Sequence, residues 1–331
     1  MITILHGDNL DLLPTLEPAS VQAIVTSPPY FGLRNYGIPP SVWPAIAYAP
    51  LAGLADVEIP AQTVCLGLES DPLAYIGHLV HVFRLARPAL GADGVLLLNL
   101  GDSYAGGNQT GRNDGGRPEK DRGWATYDIK QTKLDRVDGV APKNLLCIPH
   151  RAALALQADG WYLRADCIWY KSNAMPESVK DRPTRAHEYV FLLAKSDRYF
   201  WNADAVSEPA IATKNRGGAQ KMQSQVSGAG AKNDGFGSRF DPKPTRNLRS
   251  VWTIATKPLS DAHYAPMPES LADLCIKAST KPGDTVLDMY GGSGTTSRAA
   301  ERLQRNAIHM DLAYHDIANR RTDGIQVEMP L

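Results

Sequence analysis

The stretch Asp284-Thr285-Val286-Leu287-Asp288-Met289-Tyr290-Gly291-Gly292-Ser293-Gly294-Thr295-Thr296 constrains the fold more than any other part of the chain. A short apolar run ends on an acid, glycines crowd the next positions, and a helix-compatible segment opens at Thr295. Glycine admits positive φ and close backbone approach, and a helix start leaves N–H groups without intrahelical partners. Strand, glycine-rich turn and helix in that order belong to α/β sheets that bind ligands beyond the carboxyl ends of their strands. Helical spacing from Asp71 to Leu90 (Leu73, Ile76, Leu79, Val80, Phe83, Leu85) and the run Val95-Leu96-Leu97-Leu98-Asn99-Leu100 read as a helix and then a buried strand. Strands are predicted at Val21–Val25, Tyr162–Tyr170, Glu188–Ala194, Thr285–Leu287 and Ala307–Met310, and helices at Leu145–Ala158, Pro268–Ser279 and Thr295–Leu303. The expected fold is a three-layer α/β domain, with a mostly parallel twisted sheet and helices on both faces.

Composition closes off other classes. The 331 residues carry 35 Lys+Arg against 35 Asp+Glu and are 43% hydrophobic, which excludes a basic coat protein and wholesale disorder. No apolar run approaches the roughly 20 residues that cross a bilayer, and the N-terminus lacks a secretory pattern. No membrane association and a cytoplasmic location are therefore expected. Cys65, Cys147, Cys167 and Cys275 form no C-x-x-C pair, so reduced, mostly buried thiols are expected rather than a disulfide or zinc scaffold. Two polar stretches interrupt the α/β rhythm. Ala105–Val140 reads as a surface insertion, and Ile211–Ser250 carries Lys214, Arg216, Lys221, Lys232, Arg239, Lys243, Arg246 and Arg249 against only Asp234 and Asp241. The second is either a solvated linker or a segment that grips phosphates.

The chemistry concentrates in two places. The Gly291–Gly294 turn has no Gly-Lys-Ser/Thr and no G-x-G-x-x-G, so it fits neither a P-loop nor the usual dinucleotide turn. Asp288 before the glycines suits a cationic amine better than a pyrophosphate, which points to S-adenosylmethionine. Asp311, at the end of the next strand, is the candidate ribose ligand, with helix capping as its alternative. The second place is Ser27-Pro28-Pro29-Tyr30. The exocyclic amine of a nucleobase is a poor nucleophile because its lone pair is delocalised into the ring. Acceptors around it, here the Ser27 side chain and the Pro28 carbonyl, localise that pair, and Tyr30 offers a face for an extruded base. The plainer alternative is a proline pair that ends a strand, with Tyr30 in the core.

Taken together, these segments resemble the amino-methylating DNA methyltransferases. Thr26-Ser27-Pro28-Pro29-Tyr30 near the start and Leu287–Thr296 near the end are similar to motifs IV and I, in the permuted order of the β group. The resemblance extends to His6-Gly7-Asp8-Asn9, whose acid by family pattern contacts the cofactor adenine. It includes His263-Tyr264-Ala265-Pro266-Met267-Pro268, similar to motif X at the methionine end of the cofactor, and two segments flanking the target base, Trp169–Asn173 and His187–Phe191. The usual Asp-Pro-Phe is here Asp288-Met289-Tyr290, and the frequent Glu after the second strand is Asp311.

The resemblance implies a Rossmann-like fold, S-adenosylmethionine as cofactor, double-stranded DNA as partner, base flipping, and no metal. Catalysis falls to Ser27, Pro28, Pro29 and Tyr30. Cofactor binding falls to Asp8, His263, Ala265, Pro268, Asp288, Tyr290, Gly291, Gly292, Ser293, Gly294, Thr295 and Asp311. DNA contact is expected from Arg34, Lys171, Asn173, Arg216, Lys221, Arg239 and Arg246. A catalytic half over 1–104 and 141–210, insertions at 105–140 and 211–250 for target recognition, and a cofactor half over 251–331 follow. Ser-Pro-Pro-Tyr is commoner among cytosine-N4 enzymes, so N4-cytosine is expected ahead of N6-adenine. C5 methylation is disfavoured because none of the cysteines follows a proline. A dinucleotide oxidoreductase leaves Ser-Pro-Pro-Tyr unexplained; a silent DNA-binding relative and an RNA or protein-amide substrate remain as other readings. A homodimer and a cognate restriction endonuclease are left open as partners.

Overall fold

A computed structural model describes residues 1–32, 37–106, 139–210, 245–256 and 267–322. The elements run β1 (Ile2–His6), α1 (Asn9–Leu12), β2 (Val21–Thr26), β3 (Ser41–Trp43), β4 (Ile46–Tyr48), β5 (Val57–Ile59), β6 (Gln62–Val64), α2 (Pro72–Ala86) and β7 (Leu90–Leu100). They continue with α3 (Ile148–Ala158), β8 (Tyr162–Tyr170), β9 (His187–Ala194), β10 (Glu208–Pro209), β11 (Thr245–Arg246), β12 (Val251–Thr253), α4 (Glu269–Ser279), β13 (Thr285–Asp288), α5 (Thr295–Arg302), β14 (Asn306–Asp311) and α6 (His315–Thr322).

Eight strands form one sheet in the order β1-β14-β13-β2-β7-β9-β8-β12. All neighbouring pairs are parallel except those of β9, which runs antiparallel to both β7 and β8. Because side chains alternate across a strand, each strand feeds two cores. Ile24, Leu96, Leu98 and Leu287 pack with α2 and α3 on one face. Ala23, Val25, Val95, Leu97 and Val286 pack with Leu271, Cys275 and Ile276 of α4 and with Ala299 and Ala300 of α5 on the other. This is the expected three-layer arrangement. Leu96 and Leu98 are wholly buried, so truncating either to Ala costs about 2–5 kcal/mol.

The helix expected to reach Leu90 ends at Ala86, and Leu90 already belongs to β7; Pro88 cannot continue a helix. Asp71 caps its start by accepting from the Leu73 N–H at 2.8 Å. The helix expected from Leu145 begins at Ile148, because Cys147 adopts a left-handed conformation (φ 54°) and Pro149 occupies the first turn. The thiols also depart from expectation. Cys167 and Cys275 are buried, which pushes the Cys167 thiol up to about 12, but Cys65 is half-buried and Cys147 is exposed. The short strands β3 to β6 pair as β3–β6 and β4–β5 and carry Trp43, Tyr48 and Ile59 onto α2. Gly77 of α2 makes room for them, since a Cβ there would lie 3.0 Å from Ile59 and 3.1 Å from Tyr48.

Candidate active site

The sheet brings every relevant strand end to one edge. β14, β13, β2 and β7 deliver their carboxyl ends there, and antiparallel β9 delivers its start. An open cleft of about 1720 Å³ lies along this edge. Its lining includes Asp8, Ser27–Tyr30, Asn99, Lys171, Asn173, Glu188, Asp288, Tyr290–Ser293, Thr295 and Asp311.

The glycine turn forms one half. Gly292 (φ 51°) and Gly294 (φ 80°) hold left-handed conformations, which glycine alone adopts without strain. Asp288 is buried and anchors the turn: one carboxylate oxygen accepts from the Thr26 hydroxyl at 2.7 Å and from the Tyr290 N–H at 3.1 Å, and the Thr296 side chain bonds it too. Burial raises its carboxyl above the ordinary range despite these bonds. Asp311 accepts from the Gly292 N–H at 2.9 Å with one oxygen and from the Ala313 and Tyr314 N–H groups, each at 2.7 Å, with the other. It therefore ties the glycine turn to the segment after β14. Gly291 touches the buried His309, whose Nδ1 would lie 2.2 Å from a Cβ at that position. Asp8 caps α1 through the Leu10 N–H at 2.9 Å, and Asn9 donates to the Met289 carbonyl at 2.6 Å.

The Ser-Pro-Pro-Tyr turn forms the other half, directly after β2. Pro28 is buried, and Ser27, Pro29 and Tyr30 are half-buried. Tyr75 donates to the Pro29 carbonyl at 2.8 Å, so that carbonyl is used within the protein. Gly67 (φ 90°) backs the turn, since a Cβ there would meet the Tyr30 carbonyl at 2.9 Å. Its N–H is held by Glu69 at 2.7 Å, and Glu69 in turn bonds the buried His78 at 2.7 Å. The Tyr30 hydroxyl lies 3.1 Å from Ser27 Oγ, 3.1 Å from Asn99 Oδ1 and 2.8 Å from Glu188 Oε2. Burial and the neighbouring Glu188 charge push its phenol well above the usual tyrosine value, so it stays protonated. The other Glu188 oxygen pairs with Lys171.

Of the expected site residues, Arg34, Arg216, Lys221, Arg239, His263 and Ala265 lie outside the described residues. Lys171 and Asn173 line the cleft; Asn173 accepts from the Thr256 N–H at 2.8 Å and donates to the Thr256 carbonyl at 2.8 Å. Pro268 sits at the N-cap of α4, and its neighbour Met267 lines the cleft. Arg246 lies in β11 and pairs with Glu208 at 3.1 Å, outside the cleft lining. The sequence places Glu188 in a segment flanking the target base without a role of its own, and it does not single out Asn99 as a site residue. The signal for Asn99 was a single amide within an apolar run; nothing local marked Glu188 as a partner of Tyr30.

An α/β sheet that joins a strand–acid–glycine turn to a Ser-Pro-Pro-Tyr turn at its carboxyl edge defines a Rossmann-like methyltransferase fold. The chain belongs to the N6/N4 DNA methylase family, whose sequence model matches residues 21–320. The type II methyltransferase M.Cfr9I of Citrobacter freundii is 40% identical over 324 residues, 97% of this chain and 88% of that protein. Among solved structures, the cytosine-N4-specific PvuII DNA methyltransferase superposes with a TM-score of 0.59 at 17% identity, covering 98% of this chain and 88% of its own. A DNA modification methylase of Thermus thermophilus, complexed with S-adenosyl-L-methionine, does so at 0.55 and 20% identity, covering 99% and 97%. The protein is a DNA methyltransferase, and among its described residues no helix is long and apolar enough to cross a membrane.

Proposed function

We propose that this protein methylates the exocyclic N4 amine of a cytosine flipped out of double-stranded DNA, as the modification enzyme of a type II restriction system. The observation that carries the reading is the Ser27 hydroxyl in Ser-Pro-Pro-Tyr, hydrogen-bonded to the Tyr30 phenol at the cleft. The cytosine-N4 specificity of the PvuII enzyme supports the choice of base, and the type II class of M.Cfr9I supports a cognate endonuclease.

The cofactor is S-adenosylmethionine, and the cleft residues fit it. Ser293 Oγ is buried at the glycine turn with no hydrogen-bond partner among the described residues, and a side chain at Gly291 has no room beside His309. Such a site awaits a polar ligand close to the backbone. When bound, the cofactor supplies a methyl group made electrophilic by a sulfonium. Gly291–Ser293, Tyr290, Asp311 and Asp8 would hold it, with Asp288 keeping the turn in shape. Ser27 Oγ accepts from the target amine and draws its lone pair out of the ring, and the Tyr30 ring supports the extruded base. Residues 105–140 and 211–250 are the proposed target-recognition insertions. Lys180 and Arg185 also line the cleft and add cations for the DNA backbone, while Lys143 and Arg182 beside them are paired with Asp181 and Glu177.

N6-adenine is the second reading, favoured by the family's shared use of the Pro-Pro-Tyr turn. Nucleoside mass spectrometry of unmodified DNA after incubation with the protein and methyl-labelled S-adenosylmethionine decides between them. N4-methylcytosine is expected. N6-methyladenine would overturn the assignment of the base, and unlabelled DNA would overturn the function.

A further inference from the structure

We infer that Glu188 fixes the direction of a hydrogen-bond chain from Ser27 through Tyr30, so that Ser27 meets the target amine as an acceptor. This rests on the amine methylation proposed above.

The Tyr30 hydroxyl has one proton and three oxygen neighbours: Glu188 Oε2 at 2.8 Å, Asn99 Oδ1 at 3.1 Å and Ser27 Oγ at 3.1 Å. An ionised carboxylate only accepts. The Asn99 amide is also oriented, because its Nδ2 donates to the Tyr189 carbonyl at 3.0 Å and to Glu188 Oε2 at 3.2 Å, which turns its oxygen to Tyr30. Tyr30 thus faces two acceptors on one side and spends its proton there. Ser27 must then donate to the phenol oxygen, leaving only lone pairs on Ser27 Oγ for the cleft. An amine that attacks a methyl group has N–H protons to share and a lone pair to free, so it needs that acceptor. A reversed chain would aim the Ser27 proton at the nucleophilic lone pair and oppose the reaction.

Lys171 holds Glu188 in this role. Its ammonium pairs with the carboxylate oxygen turned away from Tyr30 and sits 4.5 Å from the centre of the Trp169 ring. Glu188 acts through Tyr30 and is a positioning residue. It reaches the site because β9 is antiparallel, which sets its first residues beside the last residues of β7; Asn99 pairs with Val190 and Leu100 with Tyr189.

The test is Glu188→Gln. The charged Lys171 is expected to take the amide oxygen, which turns the amide NH2 toward Tyr30 and replaces an acceptor with a donor. Single-turnover methyl transfer should fall about 100-fold, with the Kd for DNA and for cofactor changed less than about threefold. In the protein alone, the ¹³Cζ resonance of Tyr30, assigned by its loss in Tyr30→Phe, should shift. Because Glu188 works through the phenol, Glu188→Gln should add little to the loss already caused by Tyr30→Phe. A Glu188→Gln protein that turns over like the wild type, an unmoved Tyr30 resonance, or a full additional loss in the double variant would each overturn the inference. If Glu188→Gln fails to fold, Tyr30→Phe alone decides, since wild-type turnover without the phenol is incompatible with the chain. A wild-type protein that leaves DNA unmethylated would instead remove the proposed function, while the Tyr30 resonance would still report on the chain.

Discussion

Gly101 sits at the end of β7 for reasons of space, and Gly101→Ala tests whether the Tyr30 hydroxyl must be held where it is. A Cβ at this position would lie 2.6 Å from Tyr30 Cε2 and 2.8 Å from Cδ2, where ordinary contacts begin near 3.4 Å. The ring edge must retreat by about 0.8 Å, and the hydroxyl at the end of the ring moves with it. Its bonds to Ser27 and Asn99 are already 3.1 Å long and have about 0.4 Å to spare before they cease to be hydrogen bonds. The 2.8 Å bond to Glu188 has to readjust to the same shift. Losing a hydrogen bond to a charged group costs about 1.5–3 kcal/mol, and the overpacking itself about 1–3 kcal/mol of stability. Where the first cost falls on the transition state, it lowers turnover about 10- to 100-fold. Single-turnover transfer of labelled methyl groups reads the rate, and thermal melting by circular dichroism separates it from unfolding. The variant should remain folded with a lowered Tm, near-normal cofactor affinity and slowed transfer, and should add little to the loss in Tyr30→Phe. Wild-type turnover in Gly101→Ala would refute the idea that the hydroxyl position matters.

Other sites yield separate expectations. Asp288→Asn keeps the shape of the turn anchor but sets an NH2 among groups that donate to the carboxylate, so calorimetric cofactor affinity should fall more than turnover at saturation; the opposite split would reassign Asp288. His78→Leu leaves Glu69 with the Gly67 N–H but removes the ring that bonds its other oxygen, and should cost about 1–3 kcal/mol in denaturant unfolding; a midpoint near wild type would mean that this contact is not a structural prop. Burial holds the His309 imidazole below its usual value, so the unfolded chain takes up this proton more readily than the fold does. Stability from His309 is therefore complete above about pH 6.5 and declines as the pH falls toward the folded value. His309→Gln should flatten that part of the stability-versus-pH curve, and an unchanged slope would rule the residue out. Deleting 211–244 should weaken DNA binding and its salt dependence while sparing cofactor binding; unchanged DNA affinity would move target recognition elsewhere.

The parts of the fold written in local pattern were legible. β7 is an apolar run because both its faces are covered, and α4 and α5 follow the helical spacing beside their strands. The glycine turn could be read because positive φ leaves a glycine signature. What could not be read depends on distant partners. β3 to β6 have only three residues each, too few for periodicity to register, and they are strands because they pair with one another on α2. The helical pattern runs from Leu145 through Cys147, but the left-handed backbone at Cys147 delays the helix by three residues, to Ile148. Arg246 looked like a free cation in a basic stretch until β10 and β11 brought it to Glu208. Tyr30 was legible as a residue of the motif, while its hydroxyl partners lie 69 and 158 residues away.

That two motifs at opposite ends of the chain build one site follows from the strand order. β2 and β13 are adjacent and parallel, with Ala23 beside Val286 and Ile24 beside Leu287, so Ser27 and Tyr290 leave the sheet at the same edge. The Thr26 hydroxyl bridges the two strand ends directly to Asp288. A parallel neighbour can be supplied from any distance along the chain, provided the crossover returns to the same edge. Chain order is therefore free to place the Ser-Pro-Pro-Tyr turn first, while spatial order is fixed by the pairing, which sets that turn and the glycine turn one strand spacing of about 4.8 Å apart. The N-terminal strand obeys the same constraint. β1 pairs with β14 and sets His6 beside Asp311, so a strand from the start of the sequence closes the sheet next to the strand that follows the glycine turn.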